Sequence, residues 1–287
     1  MSGISLDREG HVWVVERCGA NSCAGSNVAP VLELDPLSGS VLKSFGEGMF
    51  VYPHAIYVDK ADNDSVWVVD QSAKDGKGEQ VWKFSPQGKV LMVLGKAGIT
   101  GGSPDAFNDP TGVVVGNGGD IFVSDGHKGT SQSVARIAKF SKNGTFLTSW
   151  GSKGSGPGEL DDPHSITIDS KGRLLVADRG NLRIDIFDQN GALLGQWKQF
   201  GIPSSVFVDE HDTLYVAQNF LRPQAAGFKR GIRVGSLRDG KVTAFIEDPN
   251  QDATNPSIGP ESVIADKAGA LYVGEVDRKM IKKYVPK

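Results

Sequence analysis

At 287 residues, with 31 Lys and Arg against 34 Asp and Glu, the chain carries a formal charge of −3, which provides no basic field for nucleic acid or an anionic membrane surface. Hydrophobic residues make up 39% and glycines number 37, a balance that suits many short strands in one closed all-β unit rather than two domains. No apolar run approaches the roughly 20 residues of a transmembrane helix, and strand patterning starts within a few residues of Met1, so nothing there reads as a signal peptide.

From the N-terminus onward, one two-strand pattern recurs. It begins as GISLDREGHVWVVER at Gly3 and returns as PHAIYVDKADNDSVWVVDQ at Pro53, PTGVVVGNGGDIFVSDG at Pro110 and PHSITIDSKGRLLVADR at Pro163. Two further copies follow, PSSVFVDEHDTLYVAQN at Pro203 and PESVIADKAGALYVGEV at Pro260. The compact copy spans Asp161 to Trp197 and reads as four strands, Ser165–Asp169, Arg173–Asp178, Arg183–Asp188 and Ala192–Trp197. Ser170-Lys171-Gly172, Gly180-Asn181 and Gln189-Asn190-Gly191 separate them as turns. Such a meander cannot bury both faces alone. The opening prolines are spaced by 57, 53, 40 and 57 residues, and self-similarity at this period with a four-strand unit predicts a six-bladed β-propeller of four-stranded antiparallel blades over residues 1–287.

Blade one runs from Gly3 to about Gly46, blade two from Pro53 to Leu94, blade three from Pro110 to Trp150, and blades four to six follow Asp161, Pro203 and Pro260. The uneven spacing comes from loops: ERCGANSCAGS, the stretch Gln71–Gln80, GHKGTSQSVA and FLRPQAAGFKR. All four join the second and third strands of a blade and crowd one rim, where substrate selection usually resides. Blade six supplies three strand patterns before the chain stops, from which an upstream fourth strand and an export signal are expected. Cys18 and Cys23 lie in one short loop with too few partners for a metal site, so a small disulfide and a periplasmic or secreted location are expected.

The first strand of each blade lines the propeller axis, so the residues opening it form a ring at one channel mouth. That ring comprises a residue near Gly3, then His54, Thr111, His164, Ser204 and Glu261. His54, His164 and Glu261 come from alternate blades, and two imidazoles with one carboxylate make the donor set of catalytic zinc and non-haem iron sites. A second ring, at the end of the second strands, holds Arg17, Gln71, His127, Arg179, Asn219 and Val276. It follows acidic or polar positions such as Asp70, Asp125 and Asp178, which read as turn or hydrogen-bond anchors. Arg17 and Arg179 suit a substrate carboxylate, and His127 suits a general base. His11 and His211 fall on the far rim and are expected to be surface residues.

PHSITID paired with LLVADR resembles NHL-type propellers, and the His-to-Arg separation within it resembles the peptidyl-α-hydroxyglycine α-amidating lyase family over most of the chain. In that family three channel histidines hold zinc, two arginines flank the substrate and a tyrosine is the proposed base. The resemblance implies His54 and His164 as zinc ligands and Arg179 and Arg17 as the flanking arginines. Glu261 stands where the third histidine would be, Ser262 where a calcium-linked aspartate would be, and His127 where the tyrosine would be. Segments like ERCGANSCAGS, FKRGIRVGS and KKYV also resemble exported bacterial propellers. The expected activity is a metal-dependent lyase on a small or peptide-derived carboxylate-bearing substrate, with zinc favoured over calcium, in a monomer. A lactonase- or esterase-type hydrolase at the same site and a non-enzymatic binding platform are the alternatives.

Overall fold

The computed structural model describes the whole chain except residues 128–133, 223, 224, 226, 253–258 and 287. Part of the third insertion, GHKGTSQSVA, therefore lies outside the described residues. The remainder folds into 23 strands. Blade one holds β1 (Gly3–Leu6), β2 (Val12–Val15), β3 (Val31–Leu34) and β4 (Val41–Phe45), and blade two β5 (Pro53–Asp59), β6 (Ser65–Asp70), β7 (Gln80–Phe84) and β8 (Val90–Leu94). Blade three holds β9 (Pro110–Val115), β10 (Ile121–Asp125), β11 (Arg136–Phe140) and β12 (Phe146–Trp150), and blade four β13 (Pro163–Ile168), β14 (Leu174–Asp178), β15 (Arg183–Phe187) and β16 (Leu193–Trp197). Blade five holds β17 (Ser205–Val208), β18 (Thr213–Gln218), β19 (Gly231–Ser236) and β20 (Val242–Glu247), and blade six β21 (Ser262–Ala265), β22 (Leu271–Glu275) and β23 (Met280–Tyr284).

Each blade is an antiparallel meander in chain order, five of them four-stranded and the sixth three-stranded. The inner strands β1, β5, β9, β13, β17 and β21 neighbour one another around the axis, and β21 returns to β1. The ring is also closed by the Met1 amino group, which donates to the Glu275 carbonyl at 2.9 Å. No helix of the described residues is long and apolar enough to cross a membrane.

In blades one, four, five and six the hairpin joining the first two strands is set by an aspartate whose carboxylate takes backbone N–H groups two and four residues on. Asp7 does so for Glu9 and His11, Asp169 for Lys171 and Arg173, Asp209 for His211 and Thr213, and Asp266 for Ala268 and Ala270. This Asx turn is favoured by the short acceptor side chain.

Burial falls from the second strand outward. Every residue of β6 is buried, whereas β8 exposes Val90, Leu91 and Val93. The apolar core is thus divided into wedges between neighbouring blades, such as Trp13, Val15, Phe45, Ile56, Val66, Val68 and Phe84 between blades one and two. Each fully buried valine in these strands contributes on the order of 2 kcal/mol by removal from water. A blade taken from the ring would lose both of its flanking wedges, so the inner strands hold fixed positions about the axis.

Candidate functional site at the channel mouth

Three inner strands open with the same irregularity. Pro53 pairs with Asp70 and Ala55 with Val69, which leaves His54 outside the ladder, and Thr111 and His164 are skipped in the same way. A bulge re-aims a side chain that the ladder would otherwise hold perpendicular to the sheet. Here it turns the residue after the proline toward the axis. Ser204 and Glu261 occupy the corresponding places, with their N–H groups donating to Ala217 and Gly274 carbonyls, and Ser2, donating to the Val15 carbonyl, fills the place near Gly3.

Four hydroxyl and imidazole members of this ring stitch blades one to five in series. Ser2 Oγ donates to the Pro53 carbonyl at 2.9 Å and Thr111 Oγ1 to the Pro163 carbonyl at 2.5 Å. His54 Nδ1 bonds the Thr111 carbonyl at 2.8 Å and His164 Nδ1 the Ser204 carbonyl at 2.6 Å. A carbonyl only accepts, so both Nδ1 atoms carry the proton and both Nε2 atoms keep a lone pair. Each imidazole is 3% exposed, and neither Nε2 has a hydrogen-bond partner among the described residues. Burial and the Arg17 guanidinium lower the His54 pKa to about 3, and burial with Arg179 holds His164 well below the ordinary histidine value. Both rings are therefore neutral. Two fixed, neutral imidazole nitrogens left without a partner in a buried space are what a divalent cation requires.

Two further groups meet them. A nitrogen of His127 lies within 4.8 Å of nitrogens of both His54 and His164, and the three ring centroids are 4.8 to 5.2 Å apart. Glu261 Oε1 is 3.5 Å from His164 Nε2, and its Oε2 accepts from Asn219 Nδ2. Ser204 Oγ donates to Asn219 Oδ1 at 2.5 Å. Burial raises the Glu261 pKa against the pull of Arg179 and Arg17. The sequence grouped His54, His164 and Glu261 around one point and set His127 apart as a base. The structure brings all four together, and the trio whose donor atoms fall within 4.8 Å of one another is His54, His127 and His164.

The two arginines also stand here, each on an aromatic platform that sequence reasoning missed. Arg17 lies 4.0 Å from the centre of the Tyr52 ring and donates to Asn21 Oδ1 at 2.9 Å, inside the loop closed by the Cys18–Cys23 disulfide. Arg179 lies 5.0 Å from the Phe220 ring, pairs through Nε with Asp162 at 2.8 Å and brings Nη2 within 3.2 Å of His127 Nε2. Asp162 and Tyr52 both occupy the position just before a blade's opening proline, a shared register that would have marked them. Of the remaining histidines, His211 is exposed as expected. His11 is not: its Nδ1 sits 3.1 Å from Asp7 and 3.0 Å from Glu33, and Trp13 Nε1 donates to Asp7, which draws the group into the blade.

The aspartates that end the second strands cap the approach to their own first strands. Asp70 takes the N–H groups of Val51 and Tyr52, Asp125 that of Asn108 and Asp178 that of Asp161. The Asp109 carbonyl then accepts both Gly126 and His127 N–H groups at 3.1 Å, which fixes the backbone of His127. Asp109 is supported in turn by Glu79, whose Oε2 accepts the Asp109 N–H at 2.8 Å while Oε1 accepts Thr100 Oγ1 at 3.1 Å.

Burial, with the nearby Asp109 and Asp125 carboxylates, raises the Glu79 pKa from 4.5 to about 8. The folded protein therefore retains a proton that the unfolded chain releases near pH 4.5, and stability falls as pH rises through the window up to about 8. Glu79→Gln should flatten that fall and make the variant more stable than the parent at pH 8 by roughly 2–5 kcal/mol, read from urea midpoints at pH 5 and pH 8. Parallel profiles for the two proteins would refute this.

Beneath the ring a cavity of about 1080 Å³ runs along the axis between the inner strands to the far turns. Ser2, His54, Thr111, His164, Ser204 and Glu261 form its end.

A family model for the NHL repeat matches residues 160–187. The chain is 32% identical to NHL repeat-containing protein 3 of Mus musculus, over 96% of this chain and 76% of that protein. It is 34% identical to peptidyl-alpha-hydroxyglycine alpha-amidating lyase 1 of Drosophila melanogaster over 89% of this chain, and spans about half of that relative, 48%. Among solved structures, a gluconolactonase from Xanthomonas campestris superposes with a TM-score of 0.66 over 96% of this chain and 82% of that one. At 15% identity that likeness is one of fold.

Proposed function

This chain belongs to the NHL-repeat propellers that include NHL repeat-containing protein 3, and from that premise we propose that it is a metal-dependent lyase for a small α-hydroxyglycine-type substrate bearing a carboxylate. The observation that carries the reading is the pair of buried Nε2 atoms on His54 and His164, held by rings fixed through Nδ1 and without a hydrogen-bond partner among the described residues, beside two guanidiniums. The similarity to the Drosophila lyase supports the same chemistry.

His54 and His164 would hold the ion, zinc being the one that suits neutral imidazoles. A bound divalent ion supplies Lewis acidity toward a substrate oxygen. His127 and Glu261 supply the third ligand and the proton acceptor. Arg17 and Arg179, oriented by Tyr52, Asn21, Phe220 and Asp162, bind the substrate carboxylate. The hydroxyl proton of the carbinolamide passes to the acceptor, the carbon–oxygen double bond forms as the carbon–nitrogen bond breaks, and the proton returns to the amide nitrogen. The products are an amide and an α-keto acid. The Cys18–Cys23 disulfide supports a location in an oxidising compartment.

Zinc-loaded protein given α-hydroxyhippurate should release glyoxylate and benzamide in equal amounts. No glyoxylate, with opening of a simple lactone instead, would overturn the lyase in favour of a hydrolase.

A further inference from the structure

We infer that the third ligand of the centre is His127, acting through Nε2, and that Glu261 stands beside the ion as the proton acceptor; this rests on the metal reading above. The allotment reverses what the order of residues around the channel suggests, and four features of the site argue for it.

The donor atoms of His54, His127 and His164 lie within 4.8 Å of one another, and no such group among the described residues contains Glu261. His127 is held from behind. Its N–H and that of Gly126 both donate to the Asp109 carbonyl, and Gly126 takes a φ of 124° that other residues rarely adopt. The imidazole therefore leaves the end of β10 in a set direction toward the axis.

The state of its nitrogen fits as well. Arg179 Nη2 lies 3.2 Å from His127 Nε2, and a guanidinium can only donate. His127 Nε2 thus carries a lone pair, as His54 and His164 Nε2 do, and a cation already faces it. Were a divalent ion held by the three imidazoles, Arg179 would still be oriented for the substrate carboxylate by Asp162 and Phe220. Glu261, by contrast, is tied back to blade five. Its Oε2 accepts from Asn219, which is itself fixed by Ser204, so one oxygen remains, on the edge of His164. A carboxylate anchored in this way next to a metal site suits a group that accepts and returns a proton.

The test uses zinc alone as the probe and chelator competition as the readout, on parent, H127A and E261Q proteins. H127A should lose zinc affinity by more than the roughly 10–100-fold that outer-sphere partners cost, while E261Q should stay within about tenfold of the parent and lose lyase turnover. E261Q losing zinc while H127A keeps it, or both losing it equally, would overturn the allotment. A parent that binds no zinc would instead overturn the metal reading itself. Should H127A fail to fold, copper(II)-loaded parent protein answers the same question: spin-echo spectra with three equivalent-class imidazole nitrogens are expected, and two would refute His127.

Discussion

His164→Asn should bind no stoichiometric zinc and should lose α-hydroxyglycine lyase activity by about 10³-fold or more. The asparagine amide places an N–H where His164 Nδ1 sits, so the Ser204 carbonyl, now bonded at 2.6 Å, keeps a donor. What disappears is the Nε2 lone pair facing the axis. The expected loss follows from the several kcal/mol that a Lewis acid supplies in a transition state, at about 1.4 kcal/mol per factor of ten. Because the backbone link is retained, the melting temperature should remain close to that of the parent. Zinc content by mass spectrometry and glyoxylate release measure the two effects separately. An Asn variant that keeps both zinc and turnover would remove His164 from the centre.

The largest expected effect on stability lies in blade four. Arg183 Nε is 2.9 Å from Asp178 and 3.0 Å from Asp185, and both carboxylates are fully buried. Its Nη atoms also donate to the carbonyls of Ser155, Gly156 and Glu159. Arg183→Met preserves the length of the side chain and deletes every one of those bonds, leaving two carboxylates without their cation. Breaking one side of a buried pair costs about 3–5 kcal/mol, which lowers the melting temperature of a domain of this size by roughly 10 °C. Burial already pushes the Asp178 pKa upward, so the variant should unfold most readily at high pH, where the Asp178 carboxylate must ionise without its cation. Arg8→Met is the control. Its partner Asp64 is 2.8 Å away, but the arginine side chain is 55% exposed, and such a pair contributes about 1 kcal/mol or less. Equal shifts for the two variants would show that burial of the Arg183 group does not matter.

The propeller was legible because its signal is repeated. A period-2 apolar pattern that returns five times after a proline or glycine-rich turn leaves little choice of architecture, and the order of blades follows from the order of repeats. The places of His54 and His164 were legible for the same reason, since a residue with a fixed offset from each opening proline must fall on one ring. The identity of the first member was not, because blade one lacks the proline; Ser2 is revealed by its bond to the Pro53 carbonyl. The approach of His127 was not legible either. It depends on Gly126 turning the chain at the end of β10, an angle that no spacing rule encodes. Tyr52 and Phe220 were missed because a cation over a ring is a tertiary contact between different loops. The far-rim His11 was misjudged because turn position alone suggested a surface residue, whereas Glu33 from a neighbouring strand pulls it inward.

The bridge between Cys18 and Cys23 has a practical bearing on any assay. It closes the peptide that presents Asn21 to Arg17, and Cys23 packs into the first wedge of the core while its N–H bonds the Val51 carbonyl at 2.8 Å. Dithiothreitol or glutathione in the buffer would cut that peptide loose and leave one guanidinium steered by Tyr52 alone. If Arg17 binds the substrate carboxylate as proposed, protein purified in reductant and protein purified in air would be two reagents, with different affinities for carboxylate ligands.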